Sequence, residues 1–187
     1  TLFRSAAVLE NLQNKPGMLG IIFHKAENKI ANPAKLEIIV YDLINKETWS
    51  ELGIDVKGEA YEGLLEKNAQ DTKTGAGQYF TPRPIINAIV ECIRPQLGET
   101  IYDPACGTGG FLLSAHDYIL KTNPTRTKKQ DEFLKLKTFR GVELVHTVTR
   151  LGAMNLLLHG IGPEYDEEGE LPIVTADSLV SDEGIKR

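Results

Sequence analysis

The chain has 187 residues, of which 41% are hydrophobic and 25% are charged, and its formal net charge is -5. These proportions are those of an ordinary soluble globular protein, and they exclude a disordered chain or a fibrous repeat. The acidic balance argues against a domain that coats nucleic acid by charge alone. Cys92 and Cys106 suggest neither a disulfide framework nor a metal site, and no signal peptide or membrane-spanning run is evident. We therefore expect a cytoplasmic protein.

The N-terminal part of the chain predicts helices. Asn32 is a plausible N-cap with Pro33 at the first helical position, and apolar side chains follow at helical spacing. That stripe consists of Leu36, Ile39, Val40, Leu43 and Ile44. A second helix is predicted for residues 59–69, and its inward-facing side chains are Tyr61, Leu64 and Leu65.

A polar stretch that contains glycines, residues 71–77, interrupts this helical pattern. Such stretches commonly separate domains. We therefore predict a helical N-terminal domain at residues 1–75 and a second domain at residues 76–187.

Beyond residue 77 the pattern alternates between helices and strands. Helices are predicted at residues 82–94, capped by Thr81, and at 110–121 and 146–159; strands are predicted at 100–103, 138–143 and 172–176. This alternation is typical of an α/β fold with a parallel sheet, whose ligand lies at the carboxyl ends of the strands. The basic residues between 121 and 129 are compatible with phosphate contact, but a polar connector often carries such charges.

A glycine loop, residues 103–111, lies between the first strand and the next helix. Its spacing matches neither a dinucleotide fingerprint nor a triphosphate loop. Asp103 would repel a pyrophosphate but would attract an ammonium group, so the loop favours an amino-acid-bearing cofactor such as S-adenosylmethionine. The amides around residues 108–110 can then hold its carboxylate. A purely structural turn is the alternative, and Cys106 as a nucleophile is disfavoured because no histidine or paired acid stands at a suitable spacing.

Two further acids end the other predicted strands. Glu143 is placed to accept hydrogen bonds from a ribose diol, although it lies farther from the loop than the usual ~20 residues. Asp177 is a candidate for the adenine edge. Either acid alone is as easily explained as a solvent-exposed cap, but acids at the ends of three successive strands make a coincidence less credible.

Two segments around the glycine loop carry a family resemblance. With Gly75–Pro84 before the loop and Met154–Gly160 after it, the chain resembles the modification subunit of bacterial type I restriction-modification systems, an N6-adenine DNA methyltransferase family. This resemblance implies a Rossmann-like class I methyltransferase sheet, present in part, preceded by a small all-α domain. It also implies S-adenosylmethionine as cofactor, bound by residues 76–187.

The resemblance also implies which residues contact the cofactor. They are Gln78, Tyr79, Phe80, Thr81, Pro82, Arg83, Thr108, Gly109 and Gly110, with Glu143 at the ribose, and we add Asp103 and Asp177 from the physical argument above. The implied partners are double-stranded DNA, reached through the assembled complex, and the specificity and restriction subunits of the same system.

The family's catalytic motif, Asn/Asp-Pro-Pro-Phe/Tyr, does not occur in this sequence. We therefore expect the chain to be a segment of a longer polypeptide that binds cofactor without turnover, and we assign it no catalytic residue and no metal ligand. A methyltransferase acting on protein or RNA and a non-catalytic assembly module stay open as alternatives, whereas a nicotinamide-dependent enzyme is a third choice that Asp103 and the glycine spacing disfavour.

Overall fold

The computed structural model of the chain describes residues 2–49, 51–71, 81–163 and 170–180. Its α-helices are α1 (Leu2–Gln13), α2 (Gly17–Ile22), α3 (Pro33–Glu37), α4 (Ile54–Asp71), α5 (Arg83–Ile93), α6 (Gly110–Thr122), α7 (Lys128–Leu136) and α8 (His146–Leu158). Its strands are β1 (Ile101–Asp103), β2 (Phe139–Glu143) and β3 (Ile173–Thr175). Across these ranges no helix has both the length and the apolar character that a bilayer crossing requires.

The three strands form one parallel sheet in the order β1-β2-β3. Asp103 lies opposite Gly141, and Glu143 lies opposite Thr175, so all three strands present their carboxyl ends at the same edge. Parallel strands need crossover connections, and α6 to α8 provide them. The predicted α/β fold with a parallel sheet is confirmed.

One hydrophobic core joins the sheet to the N-terminal helices. Phe139 of β2 and Leu156 of α8 are almost completely buried, and Met18 and Ile22 of α2 belong to the same cluster. The Nε of Arg150 on α8 also donates to the carbonyl of Ile22 at 2.9 Å. The packing therefore continues across the predicted domain boundary at residues 75 and 76, and the division into two domains stays a prediction.

The N-terminal apolar stripe is only partly buried. Asn32 caps α3 as predicted, because its side chain accepts hydrogen bonds from the amides of residues 34 and 35. Leu36 is buried, but Leu43 and Ile44 are exposed, so the predicted stripe is not buried along its whole length. The backbone changes to a π-helix at Ile38–Leu43, and this wider turn rotates later side chains away from the face that an α-helix would bury.

Helix α4 also differs from its prediction, because it begins at Ile54 and extends through Asp71. Leu65 is buried as predicted, but Leu64 is 59% exposed. Gly58 and Leu65, seven residues apart on one helical face, approach the core, and Leu64 lies beside that face.

Helix α5 begins later than predicted. Its N-cap is Pro82, whose carbonyl accepts the amides of Ile85 and Ile86, so the prediction that Thr81 caps the helix is wrong. Only one of the two apolar stripes on α5 is buried. Ile86 and Val90 are buried, whereas Ile85, Ile89 and Ile93 are exposed.

The basic segment predicted as a connector contains a helix of its own. Helix α7 begins with a capping box formed by Thr127 and Gln130, so Lys128 and Lys129 occupy its first turn. Arg126 is paired with Asp131 and also donates to a backbone carbonyl. The guanidinium of Arg126 is therefore already engaged within the segment.

Candidate functional site

The glycine loop takes its shape from two residues with positive φ. Gly107 has a φ of 56° and Gly109 a φ of 85°, a region that other residues rarely adopt. The amide of Cys106 donates to Val142 at 3.0 Å, and the amide of Gly109 donates back to Cys106 at 2.8 Å. Gly109 is the N-cap of α6 and supplies no side-chain cap, and within the described ranges no other side chain accepts from the first amides of this helix.

A cavity of about 300 Å³ lies beside this loop. It is lined by Glu62, Leu65, Thr81, Arg83, Ile86, Asp103, Ala105, Cys106, Gly107, Thr108, Gly110, Phe111 and Asn155. The volume is at the lower end of the range for small-molecule sites, roughly 300–1,000 Å³. Five of the residues predicted to bind cofactor, namely Thr81, Arg83, Asp103, Thr108 and Gly110, therefore share one cavity.

Asp103 contributes a carboxyl group to the lining of the cavity. Its Oδ1 accepts a hydrogen bond from the amide of Ala105 at 3.1 Å. Burial raises the pKa of the Asp103 carboxyl, and the charge of Glu143 raises it further, although the Ala105 amide lowers it. A carboxylate in this situation is stabilised by a cation, so the cavity favours a positively charged ligand group.

Glu143 holds the loop from the end of β2. Its Oε2 accepts from the amide of Gly107 at 3.1 Å, and its Oε1 accepts from the amide of Val145 at 2.8 Å. The side chain does not line the cavity itself but contacts a residue that does. Both oxygens retain lone pairs, so the contact with a ribose diol stays a prediction.

Asp177, unlike Asp103, does not line the cavity. It is exposed beyond β3, and its Oδ1 accepts from the amide of Leu179 at 3.0 Å. The amide of Ala176 donates to the carbonyl of Glu143 at 3.1 Å, which fixes the two strand ends side by side. Asp177 therefore stands at the predicted edge of the sheet, although it is absent from the cavity lining.

Arg83 lines the cavity and joins three helices. Its Nη1 donates to the carbonyl of Gly110 at 3.1 Å, and its guanidinium forms an ion pair with Glu62 of α4. Burial lowers the pKa of Arg83, and the charge of Asp117 opposes that effect. Arg83 thus connects α5 to α4 and to the first residue of α6.

The remaining predicted residues do not line the cavity or are not described. Pro82 and Gly109 act as helix N-caps beside it. Gln78, Tyr79 and Phe80 lie outside the described residues.

Among the lining residues that the sequence did not assign to the cofactor site are two polar ones far from the glycine loop in the sequence, Glu62 and Asn155. The sequence signal for Asn155 is its place as a lone polar residue in the apolar run Met154–Leu158. Glu62 has no such signal, because one acid among several on a surface helix is not distinctive.

Cys106 is buried beside the two acids. Burial and the charges of Asp103 and Glu143 raise the pKa of its thiol far above the ordinary range. Its Sγ would lie 2.7 Å from a Cβ at Gly141, so loop and strand are in close contact there. A thiol that stays protonated is a poor nucleophile, which supports the interpretation of Cys106 as a packing residue.

We expect iodoacetamide at pH 8 to alkylate Cys92 and to leave Cys106 unmodified in the folded protein. Cys92 is exposed, whereas Cys106 is buried and its thiolate is disfavoured. Peptide mass spectrometry before and after denaturation measures both sites. Rapid labelling of Cys106 under native conditions would contradict the packing role.

Comparison with known proteins identifies relatives of this chain. Residues 52–186 match the N-6 DNA methylase family. The chain is 39% identical over 156 residues to the type I restriction enzyme EcoKI methylase subunit of Escherichia coli K12, covering 80% of this chain and 30% of that protein. It is 41% identical over 158 residues to the StySJI methylase subunit of Salmonella typhimurium, with the same coverage. The chain thus spans about a third of the length of these relatives.

Solved structures agree with the sequence relatives. A modification subunit of a putative type I restriction enzyme from Vibrio vulnificus superposes with a TM-score of 0.72 at 29% identity, covering 91% of this chain and 35% of that one. The EcoKI M protein superposes with a TM-score of 0.51 at 27% identity, covering 97% and 32%. The fold is that of S-adenosylmethionine-dependent methyltransferases. By the family match and these relatives, the chain belongs to the N-6 DNA methylase family, together with the methylase subunits of type I restriction enzymes.

Proposed function

We propose that this chain is the S-adenosylmethionine-binding part of a site-specific DNA adenine-N6 methyltransferase, the modification subunit of a type I restriction-modification complex. The observation that carries the proposal is the position of Asp103 beside a glycine loop, in a cavity at the carboxyl edge of a parallel sheet. Family membership supports methyl transfer, and the residues of the cavity support this cofactor.

The chemistry of the cavity fits the two ends of the cofactor's amino-acid moiety. The partly buried carboxylate of Asp103, with Glu143 nearby, attracts the ammonium group. The first amides of α6, where Gly109 supplies no side-chain cap, can donate hydrogen bonds to the carboxylate at the helix end whose dipole favours negative charge. One cavity therefore offers an acceptor for the cation and donors for the anion.

Bound S-adenosylmethionine would supply an electrophilic methyl group on its sulfonium. The residues described above bind and orient such a ligand, and none of them is assigned to proton transfer. The motif Asn/Asp-Pro-Pro-Phe/Tyr, which would hold a flipped adenine, does not occur in this sequence. We therefore propose that this chain binds cofactor and that methylation requires residues it does not contain.

The proposed partners follow from the same assignment. The modification subunit would act on double-stranded DNA as part of a complex with the specificity and restriction subunits. The net charge of -5 agrees with DNA recognition that is shared with a partner instead of being carried by this chain alone.

Calorimetric titration with S-adenosylmethionine, with NADH as the control ligand, tests the cofactor assignment. We expect saturable binding of one S-adenosylmethionine per chain and no saturable binding of NADH, because Asp103 repels a pyrophosphate. Circular dichroism on the same sample establishes that the protein is folded. Saturable NADH binding, or no S-adenosylmethionine binding by folded protein, would contradict the proposal.

A further inference from the structure

Asn155 is a buried polar residue whose role is not explained by the fold alone. It is 2% exposed, lies on α8 among apolar neighbours such as Ala153 and Leu156, and lines the cavity. Its Nδ2 donates to the carbonyl of Thr108 at 3.0 Å, but its Oδ1 is buried and has no hydrogen-bond partner among the described residues. An unsatisfied buried acceptor is destabilising by about 1–3 kcal/mol, so packing would be better served by an apolar side chain.

The bond to Thr108 acts on the part of the loop that opens α6. The carbonyl of Thr108 and the amide of Gly109 belong to the same peptide group. Asn155 donates to the carbonyl oxygen of this peptide, and the amide of this peptide donates to the carbonyl of Cys106 at 2.8 Å. The peptide is therefore held at both its oxygen and its nitrogen. Fixing this peptide fixes the direction of the uncapped amides that follow it, beginning with Gly110.

The backbone of Asn155 is contacted by His159, the C-cap of the same helix, and α4 packs on His159. The Nδ1 of His159 lies 2.8 Å from the backbone oxygen of Asn155, and the carbonyl can only accept, so the ring donates. Helix α4 packs directly on this ring, because a Cβ at Gly58 would lie 2.5 Å from its Nε2. A continuous chain of contacts thus runs from α4 through His159 and Asn155 to Thr108.

We propose that Asn155 is a positioning residue, which holds the Thr108–Gly109 peptide so that the first amides of α6 face the carboxylate of the bound cofactor. This inference rests on the proposed S-adenosylmethionine site and assigns a function to the Met154–Gly160 segment. Asn155 acts through the loop, and its effect is specific to the carboxylate end of the ligand.

The test measures binding of S-adenosylhomocysteine and of its decarboxylated analogue by calorimetry. The variants are Asn155→Leu, which keeps the branched outline of the side chain, and Asn155→Ala, which truncates it. Thr149→Val is the matched control, because Thr149 is 1% exposed on the same helix, bonds Thr175 and does not line the cavity. Thermal unfolding of each variant is followed in parallel.

We expect both Asn155 variants to bind S-adenosylhomocysteine about tenfold more weakly, while their affinity for the decarboxylated analogue is unchanged. Thr149→Val should change the unfolding midpoint without changing either affinity. Equal losses for both ligands would show a general structural role and would overturn the inference, as would unchanged affinity for S-adenosylhomocysteine. If the unaltered protein binds neither ligand, the proposed function fails and this inference fails with it.

Discussion

Replacing Asp103 by asparagine is expected to stabilise the free protein and to weaken its binding of S-adenosylmethionine by about ten- to a hundredfold. The binding loss corresponds to one charge-assisted hydrogen bond, worth roughly 1.5–3 kcal/mol. The gain in stability follows from burial, which raises the pKa of the Asp103 carboxyl and so disfavours its ionised form. Asparagine can still accept the amide of Ala105 through its Oδ1, so the turn at the end of β1 is retained.

The same change should alter how stability and affinity depend on pH. Because the pKa of Asp103 is raised in the folded state, its contribution to stability is present at low pH and is lost as the pH rises through that pKa. The stabilisation by Asp103→Asn should therefore be small at acidic pH. It should increase as the pH rises above the ordinary pKa of an aspartate towards neutral pH. Affinity of the unaltered protein for the cationic ligand should fall as the pH is lowered through the same window.

Urea unfolding and calorimetric titration of both proteins measure these effects. The measurements run from about pH 4 to about pH 8, which covers the ordinary pKa values of Asp and His. Asp42→Asn is the control, because it makes the same chemical change at an exposed residue that does not line the cavity. If Asp103→Asn binds S-adenosylmethionine as tightly as the unaltered protein, Asp103 does not contact the ammonium group. A loss of stability without loss of affinity would assign Asp103 to the turn alone.

The sheet and its ligand edge were predictable because their signals are local. Strands that alternate with amphipathic helices require a parallel sheet, and the acids at residues 103 and 143 then necessarily meet at one edge. The loop was predictable for the same reason, since only glycine readily adopts the positive φ found at Gly107 and Gly109. Each of these predictions used residues close together in the sequence.

The errors concern features that tertiary packing decides. Thr81 has the chemistry of a helix cap, but the chain enters α5 through Pro82 and Thr81 lines the cavity instead. Leu43 and Ile44 follow an α-helical period, which a π-helical segment interrupts. Glu62 was overlooked because its partner, Arg83, lies on a different helix, 21 residues later in the sequence. Periodicity contains no information about such pairings.

The ribose and adenine contacts predicted for Glu143 and Asp177 show the same limit on what sequence position can predict. Sequence position places both acids correctly at the ends of β2 and β3. The structure adds that Glu143 accepts two backbone amides and so helps to build the loop, while Asp177 lies outside the cavity lining. A side chain can serve the fold and the ligand together, and a strand-end position does not distinguish these roles.

Gly152→Ala is expected to destabilise the protein and to weaken cofactor binding, although alanine is the better helix former. A Cβ at Gly152 of α8 would lie 2.9 Å from the carbonyl oxygen of Gly107 and 2.8 Å from the Cδ1 of Ile173. The isoleucine can adjust, but the backbone oxygen belongs to the glycine loop, so the loop must move. Overpacking of this kind typically costs about 1–3 kcal/mol, which outweighs the gain of up to ~1 kcal/mol from helix propensity.

Gly63→Ala on α4 is the matched control, since a Cβ there would meet nothing within 4 Å. This substitution should stabilise the protein by up to about 1 kcal/mol and leave ligand affinity unchanged. Urea unfolding and calorimetric titration with S-adenosylmethionine compare the two variants. Displacement of Gly107 would disturb the amide that Glu143 accepts, so the affinity loss in Gly152→Ala should accompany its loss of stability. If both variants are stabilised equally, α8 is free to shift away from the loop, and the close contact at Gly152 does not determine the shape of the site.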